Sequence, residues 1–174
     1  MPRVCRLLAV LALAAALLAG CGDDDSGGAA ADPQDPGTET SPANAEAQLE
    51  DTSTKPVIEK PTGAPPRKLV KEDIVKGKGR AAKPGDRVTV HYVGVSFSTG
   101  EEFDASWDRG QPFAFVLGAG DVIRGWDKGI VGMRKGGRRK LTIPPELAYG
   151  AQGSPPDIAP NETLVFIVDL LAIE

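Results

Sequence analysis

The chain has 174 residues, enough for one ordinary domain with further material attached and too short for two comfortable ones. A net charge of −4 gives no reason to expect nucleic acid as a partner. Two cysteines and one histidine leave little raw material for metal or redox chemistry, so neither a metal site nor a cofactor is expected.

The N-terminus sets the expected compartment. Arg3 and Arg6 precede an apolar run, Leu7 to Gly20, of signal-peptide length and short of the ~20 residues that span a bilayer. It ends in Leu18-Ala19-Gly20-Cys21, which resembles the lipobox of bacterial lipoproteins. That resemblance implies cleavage after residue 20, acylation of Cys21, and export to the outer face of the cytoplasmic membrane or another envelope membrane. Cys5 leaves with the leader, so the mature chain has no free thiol and no candidate cysteine nucleophile.

From Gly22 to Pro66 little is available to bury. Leu49, Val57 and Ile58 are isolated among Ala, Pro, Thr and acidic residues, and no helical or strand period survives. Residues 21–66 therefore read as a disordered, lipid-anchored tether, with a reach of about 40 Å as a flexible coil. Residues 67–174 read as the folded domain.

Four strands are legible in that domain. Arg87 to Val95 is β-branched, with Val88, Val90 and Tyr92 on one face. Phe113 to Leu117 follows, then Arg138 to Ile143 with Leu141 and Ile143 opposite Lys140 and Thr142. Leu164 to Ile173 is a long apolar strand. Lys83-Pro84-Gly85-Asp86, Ser98-Thr99-Gly100 and Lys135-Gly136-Gly137 separate them as turns. Between Val122 and Val131, Ile123, Trp126 and Ile130 fall at helical spacing, although Gly125 and Gly129 weaken a helix. The expected class is α+β, an antiparallel sheet with one short helix on its face.

Hydrolytic and nucleotide chemistry find no support. No Gly-x-Ser-x-Gly elbow is present, and His91 lies in a strand as a structural residue. Gly118-Ala119-Gly120 has its next glycine at Gly125, too late for a dinucleotide loop. Lys135, Arg138, Arg139 and Lys140 are expected to form a solvated basic edge.

Seven blocks, in order, carry a family resemblance: Val90-His91-Tyr92, Glu102 to Ser106, Pro112-Phe113, Val122 to Trp126, Leu141 to Pro144, Ala148 to Ala151, and Thr163 to Phe166. From about Lys83 to Glu174 the chain resembles the FKBP family of tacrolimus-binding peptidyl-prolyl cis-trans isomerases. The resemblance implies five or six antiparallel strands curled around one short helix. It implies a pocket lined by Tyr92, Phe103, Phe113, Val122, Ile123, Tyr149 and Phe166, floored by Trp126, with Asp104 and Arg109 as a polar pair beside Tyr92. A backbone N–H near Ile123 and the Tyr149 hydroxyl would hold substrate carbonyls. Proline-containing polypeptides are the implied substrates, macrolides such as tacrolimus the implied inhibitors, and a monomer the default state. The alternative is a non-catalytic module of the same fold that holds clients or a partner at the cell surface. Two departures lie at the implied rim: the loop Ser154-Pro155-Pro156-Asp157, and a segment from Val95 to Glu102 one residue longer than in compact family members.

Overall fold

The computed structural model describes residues 49–174; the leader, Cys21 and the tether as far as residue 48 lie outside them. Within them are strands β1 (Val70–Val75), β2 (Lys78–Ala81), β3 (Arg87–Ser96), β4 (Glu102–Ala105) and β5 (Phe113–Val116). Helix α1 (Arg124–Gly129) follows, then β6 (Arg134–Lys135), β7 (Arg138–Ile143), a 3₁₀ turn at Pro145–Leu147, and β8 (Leu164–Ile173). Six strands form one antiparallel sheet in the order β1-β7-β8-β3-β4, with β5 paired to the first half of β3. The remaining two, β2 and β6, make a separate ribbon. The expected α+β class, five or six antiparallel strands around one short helix, is what the described residues adopt, with six strands in the sheet.

Alternation along the two central strands sorts their side chains. Val88, Val90 and Tyr92 of β3, Leu141 and Ile143 of β7, and Leu164, Phe166, Val168 and Leu170 of β8 face one core. Phe115 of β5 joins them from the sheet with Leu117 just beyond it, and Trp126 and Ile130 fill that core from the helix side. The opposite parity forms a smaller cluster on the outer face, where Val93, Val95, Ala105 and Val165 meet Ile58, Phe97 and Trp107.

Helix α1 is short because its glycines serve packing rather than propensity. A Cβ at Gly125 would lie 2.3 Å from Ile143 Cγ2, and one at Gly129 would lie 2.7 Å from Leu141 Cδ1. The bare backbone thus presses directly on β7. Gly125→Ala would gain about 1 kcal/mol in helix propensity. It would lose about 1–3 kcal/mol to overpacking against the fully buried Ile143. A net fall in unfolding free energy is expected, and urea denaturation will measure it.

Two expectations fail here. The basic cluster is not a solvated edge: Arg138 and Arg139 are buried, and only Lys135 of the four is fully exposed. Strand β7 lies between β1 and β8, so both of its edges are paired, and each arginine meets a carboxylate on a neighbouring strand. On the outer face Arg138 forks onto Asp169, directly opposite on β8, with Nε and Nη2 at 2.5 and 2.7 Å. On the inner face Arg139 donates to Asp73 at 2.5 Å and to the carbonyls of Gly129 and Val131 at the end of α1.

The second failure is the boundary at residue 66. Residues 49–66 run over the outer face as a strap. Arg138 donates to the carbonyls of Leu49 and Thr54 at 3.1 and 3.0 Å, Pro56 is buried, and Ile58 joins the outer cluster. The folded unit therefore includes residues that their sparse apolar content assigns to the tether.

Candidate functional site

A cleft of about 350 Å³ opens on the inner face of the sheet. Strand β3 contributes Tyr92, β4 Phe103 and Asp104, β5 Phe113, and β8 Phe166. The turn before α1 supplies Val122 and Ile123, the helix supplies Trp126, and the segment after the 3₁₀ turn supplies Tyr149. Six of the chain's nine aromatic residues thus meet at one place.

Trp126 lies at the bottom, 4% exposed, with ring centroids of Tyr92, Phe166 and Phe115 at 5.0, 5.3 and 5.8 Å. Most of these contacts are edge-to-face, the arrangement that ring quadrupoles favour. Gly94 makes one of the walls possible. A Cβ there would fall 2.6 Å from Phe166 and 2.8 Å from Phe103, the two rings that pack edge-to-face over it. Phe113 and Tyr149 stand at the rim, 38% and 42% exposed.

One wall is polar. The Tyr92 hydroxyl donates to Asp104 Oδ2 at 2.5 Å and accepts from Arg109 Nη2 at 2.8 Å, and Arg109 Nη1 donates to the other Asp104 oxygen. Burial and the Asp104 carboxylate push the Tyr92 phenol up to about 12, so it remains protonated at neutral pH. Asp104 and Tyr92 hold the Arg109 guanidinium above its ordinary range. Each member of the triangle thus has both others as partners, a polar network beside an apolar floor.

All of the expected pocket residues are brought together, with Arg109 placed behind the wall rather than in the lining. Cys21 lies outside the described residues. Asp121, absent from the sequence expectations, also lines the cleft; its place immediately before Val122 was the available signal. The Ile123 carbonyl accepts from Trp126 and Asp127 at the start of α1, and its N–H has no backbone acceptor among the described residues. His91 faces away, stacked on Trp107 at 4.3 Å on the outer side, where burial holds its imidazole below the usual range.

Both segments expected at the rim are anchored. Glu162 accepts from the Ser98 N–H and hydroxyl at 2.9 and 2.8 Å, which ties down the turn after β3. Ser154 and Ile158 exchange two backbone hydrogen bonds at 2.9 Å, and Pro156 and Asp157 between them border a groove shared with Glu101, Glu102 and Phe103. A separate cleft of about 240 Å³ borders Asp73, Lys76, Arg134 and Arg139; it has charged and backbone walls and no aromatic floor.

Comparison with known proteins agrees with this geometry. Residues 78–171 match the family of FKBP-type peptidyl-prolyl cis-trans isomerases. Over 120 residues the chain is 58% identical to an FK506-binding protein of Streptomyces anulatus, covering 68% of this chain and 97% of that protein. Over 105 residues it is 50% identical to an FK506-binding protein of Neisseria meningitidis serogroup B, covering 60% of this chain and 95% of the relative. The crystal structure of AtFKBP13 superposes with a TM-score of 0.57 at 39% identity, over 61% of this chain and 93% of that one. The family match spans more than half of the sequence and takes in every residue of the cleft, and on that ground the chain belongs to the FKBP-type peptidyl-prolyl cis-trans isomerases.

Proposed function

We propose that this isomerase acts on X-Pro bonds of exported polypeptides, and that the cleft over Trp126 does so by non-covalent stabilisation of the twisted amide. Rotation about an X-Pro bond faces a barrier of ~18–20 kcal/mol because amide resonance is lost on the way. The twisted amide carries less charge separation than the planar one. A dry aromatic cleft therefore favours it over the ground state, which is differential binding of the transition state. The observation that carries this reading is the composition of the lining. Its side chains are apolar or aromatic except for Asp104 and Asp121 and the tyrosine hydroxyls, and it includes no serine, cysteine, lysine or histidine to act as nucleophile or base.

The polar groups have positioning roles in this reading. The Ile123 N–H and the Tyr149 hydroxyl at the rim are the donors for substrate carbonyls. Asp104 and Arg109 hold the Tyr92 ring upright rather than moving protons. Tacrolimus, for which the relatives are named, would occupy the same cleft and compete with substrate. The lipobox-like Leu18 to Cys21 supports export and acylation at Cys21, and residues 22–48 then separate the domain from the outer face of the membrane.

The test is isomerisation of Leu-Pro and Phe-Pro peptides by residues 49–174, followed by NMR exchange. Acceleration that one equivalent of tacrolimus abolishes is the expected result. A folded domain without acceleration would instead support a module that only holds its clients.

A further inference from the structure

The structure assigns a positioning role to Lys55, a strap residue: it holds the polar wall of the cleft from behind by bridging Glu102 and Asp108. Its ammonium lies 2.8 Å from Glu102 Oε1 and 2.6 Å from Asp108 Oδ1. Glu102 opens β4, two residues before Asp104, and Asp108 directly precedes Arg109. The bridge therefore clamps together the two chain segments that carry Asp104 and Arg109, the partners of the Tyr92 hydroxyl. This inference rests on the cleft being the catalytic site.

The strap is held firmly enough for this purpose. Beside Lys55, the Thr54 carbonyl accepts from buried Arg138, Pro56 is itself buried, and Ile58 packs into the outer cluster. Farther along, the Lys60 stem sits so close to Gly100 that a Cβ there would approach it to 2.7 Å, which fixes the strap against the turn leading into β4.

Two carboxylates that touch one ammonium repel each other once it is gone. The charged groups around the site are Glu101 just before β4, Glu102 and Asp104 on it, Asp108 and Arg109 in the following loop, and Asp157 across the groove that Glu101 and Glu102 border. With Lys55 present its ammonium holds the Asp108 carboxyl below the usual range. Without it, Asp108 moves away from Glu102, Arg109 follows as its chain neighbour, and the hydrogen bonds on Tyr92 and Asp104 loosen. An exposed ion pair contributes little to stability, so the effect belongs to catalysis more than to folding.

The experiment compares kcat/KM of the full chain carrying Cys21→Ser with the same chain carrying Lys55→Met, at a series of pH values. At neutral pH the Lys55→Met variant is expected to lose about three- to fivefold in kcat/KM with an unfolding midpoint close to that of the parent. The ratio to the parent should return toward one as pH falls through the carboxylate range, because protonation removes the repulsion. Adding Glu102→Gln to Lys55→Met should restore activity at neutral pH, and Lys55→Arg should retain it. A pH-independent deficit that Glu102→Gln does not repair would reduce Lys55 to a structural contact and overturn the assignment. So would parental activity in Lys55→Met. An inactive parent chain would count against the catalytic reading of the cleft itself, a different outcome from any of these.

Discussion

Replacing Arg138 with alanine is expected to lower the unfolding free energy by about 3–5 kcal/mol, a large share of the ~5–15 kcal/mol that holds a domain of this size. The guanidinium is fully buried and serves two surfaces at once. It forks onto Asp169 across the β7–β8 pair, and it satisfies the carbonyls of Leu49 and Thr54 in the strap. Truncation leaves the Asp169 carboxylate, 1% exposed, without its guanidinium, and the strap loses two hydrogen bonds together. Burial raises the Asp169 carboxyl above its ordinary range even with Arg138 beside it, so desolvation outweighs the attraction. The pair is thus costly to break yet is not itself a large source of stability. Arg138→Met combined with Asp169→Leu should accordingly recover most of the loss in urea denaturation. Failure of the double variant to recover would mean that the strap contacts, rather than the ion pair, dominate.

The second large effect is catalytic. Asp104→Val removes the acceptor for both Tyr92 and Arg109 and leaves an arginine beside the cleft without its carboxylate. Hydrogen bonds to a charged group contribute about 1.5–3 kcal/mol each. The Asp104–Arg109 bond is largely exposed and contributes little, so a loss close to that of the one bond to Tyr92, roughly 10- to 100-fold in kcat/KM on a proline peptide, is expected. Tyr92→Phe should cost slightly less, because the Asp104–Arg109 ion pair survives it. Phe103→Tyr introduces a hydroxyl into the apolar wall against Phe166 and should also lower activity. Parental rates in both Asp104→Val and Phe103→Tyr would show that turnover does not use this cleft.

The long strands and the helix were legible because their patterns are those of elements packed on a core. Strands β3, β5, β7 and β8 alternate or run apolar, and Trp126 sits on a helical stripe between Ile123 and Ile130. Strand β1 was not legible. It is an edge strand, and its sequence Val-Lys-Glu-Asp-Ile-Val carries charge on both faces, because only one of its sides meets another strand. Strand β4 has four residues, too few to show a period. The cleft residues could be placed by family resemblance, whereas their convergence could not be read from spacing, since they come from seven separate segments. The buried arginines were misread for a related reason. Charge in a sequence reveals nothing of the carboxylate that faces it, and Asp169 and Asp73 lie 31 and 66 residues away from their partners. The strap was missed because side-chain hydrophobicity is not what attaches it. Val57 is 65% exposed while Pro56 beside it is buried, and the polar contacts use the Leu49 and Thr54 carbonyls and the Lys55 ammonium.

The central place of β8 has a consequence for the order in which the protein can be made. It pairs with β3 along nearly its whole length and with β7 on its other side, yet it is the last of the described strands to be synthesised. Until it emerges, β3 and β7 have no common neighbour, so the two halves of the sheet cannot join. The pairings it completes are long-range and slow to form. A nascent chain therefore stays open for as long as residues 164–173 are still in the ribosome, and the sheet closes only as the last of these strands is released.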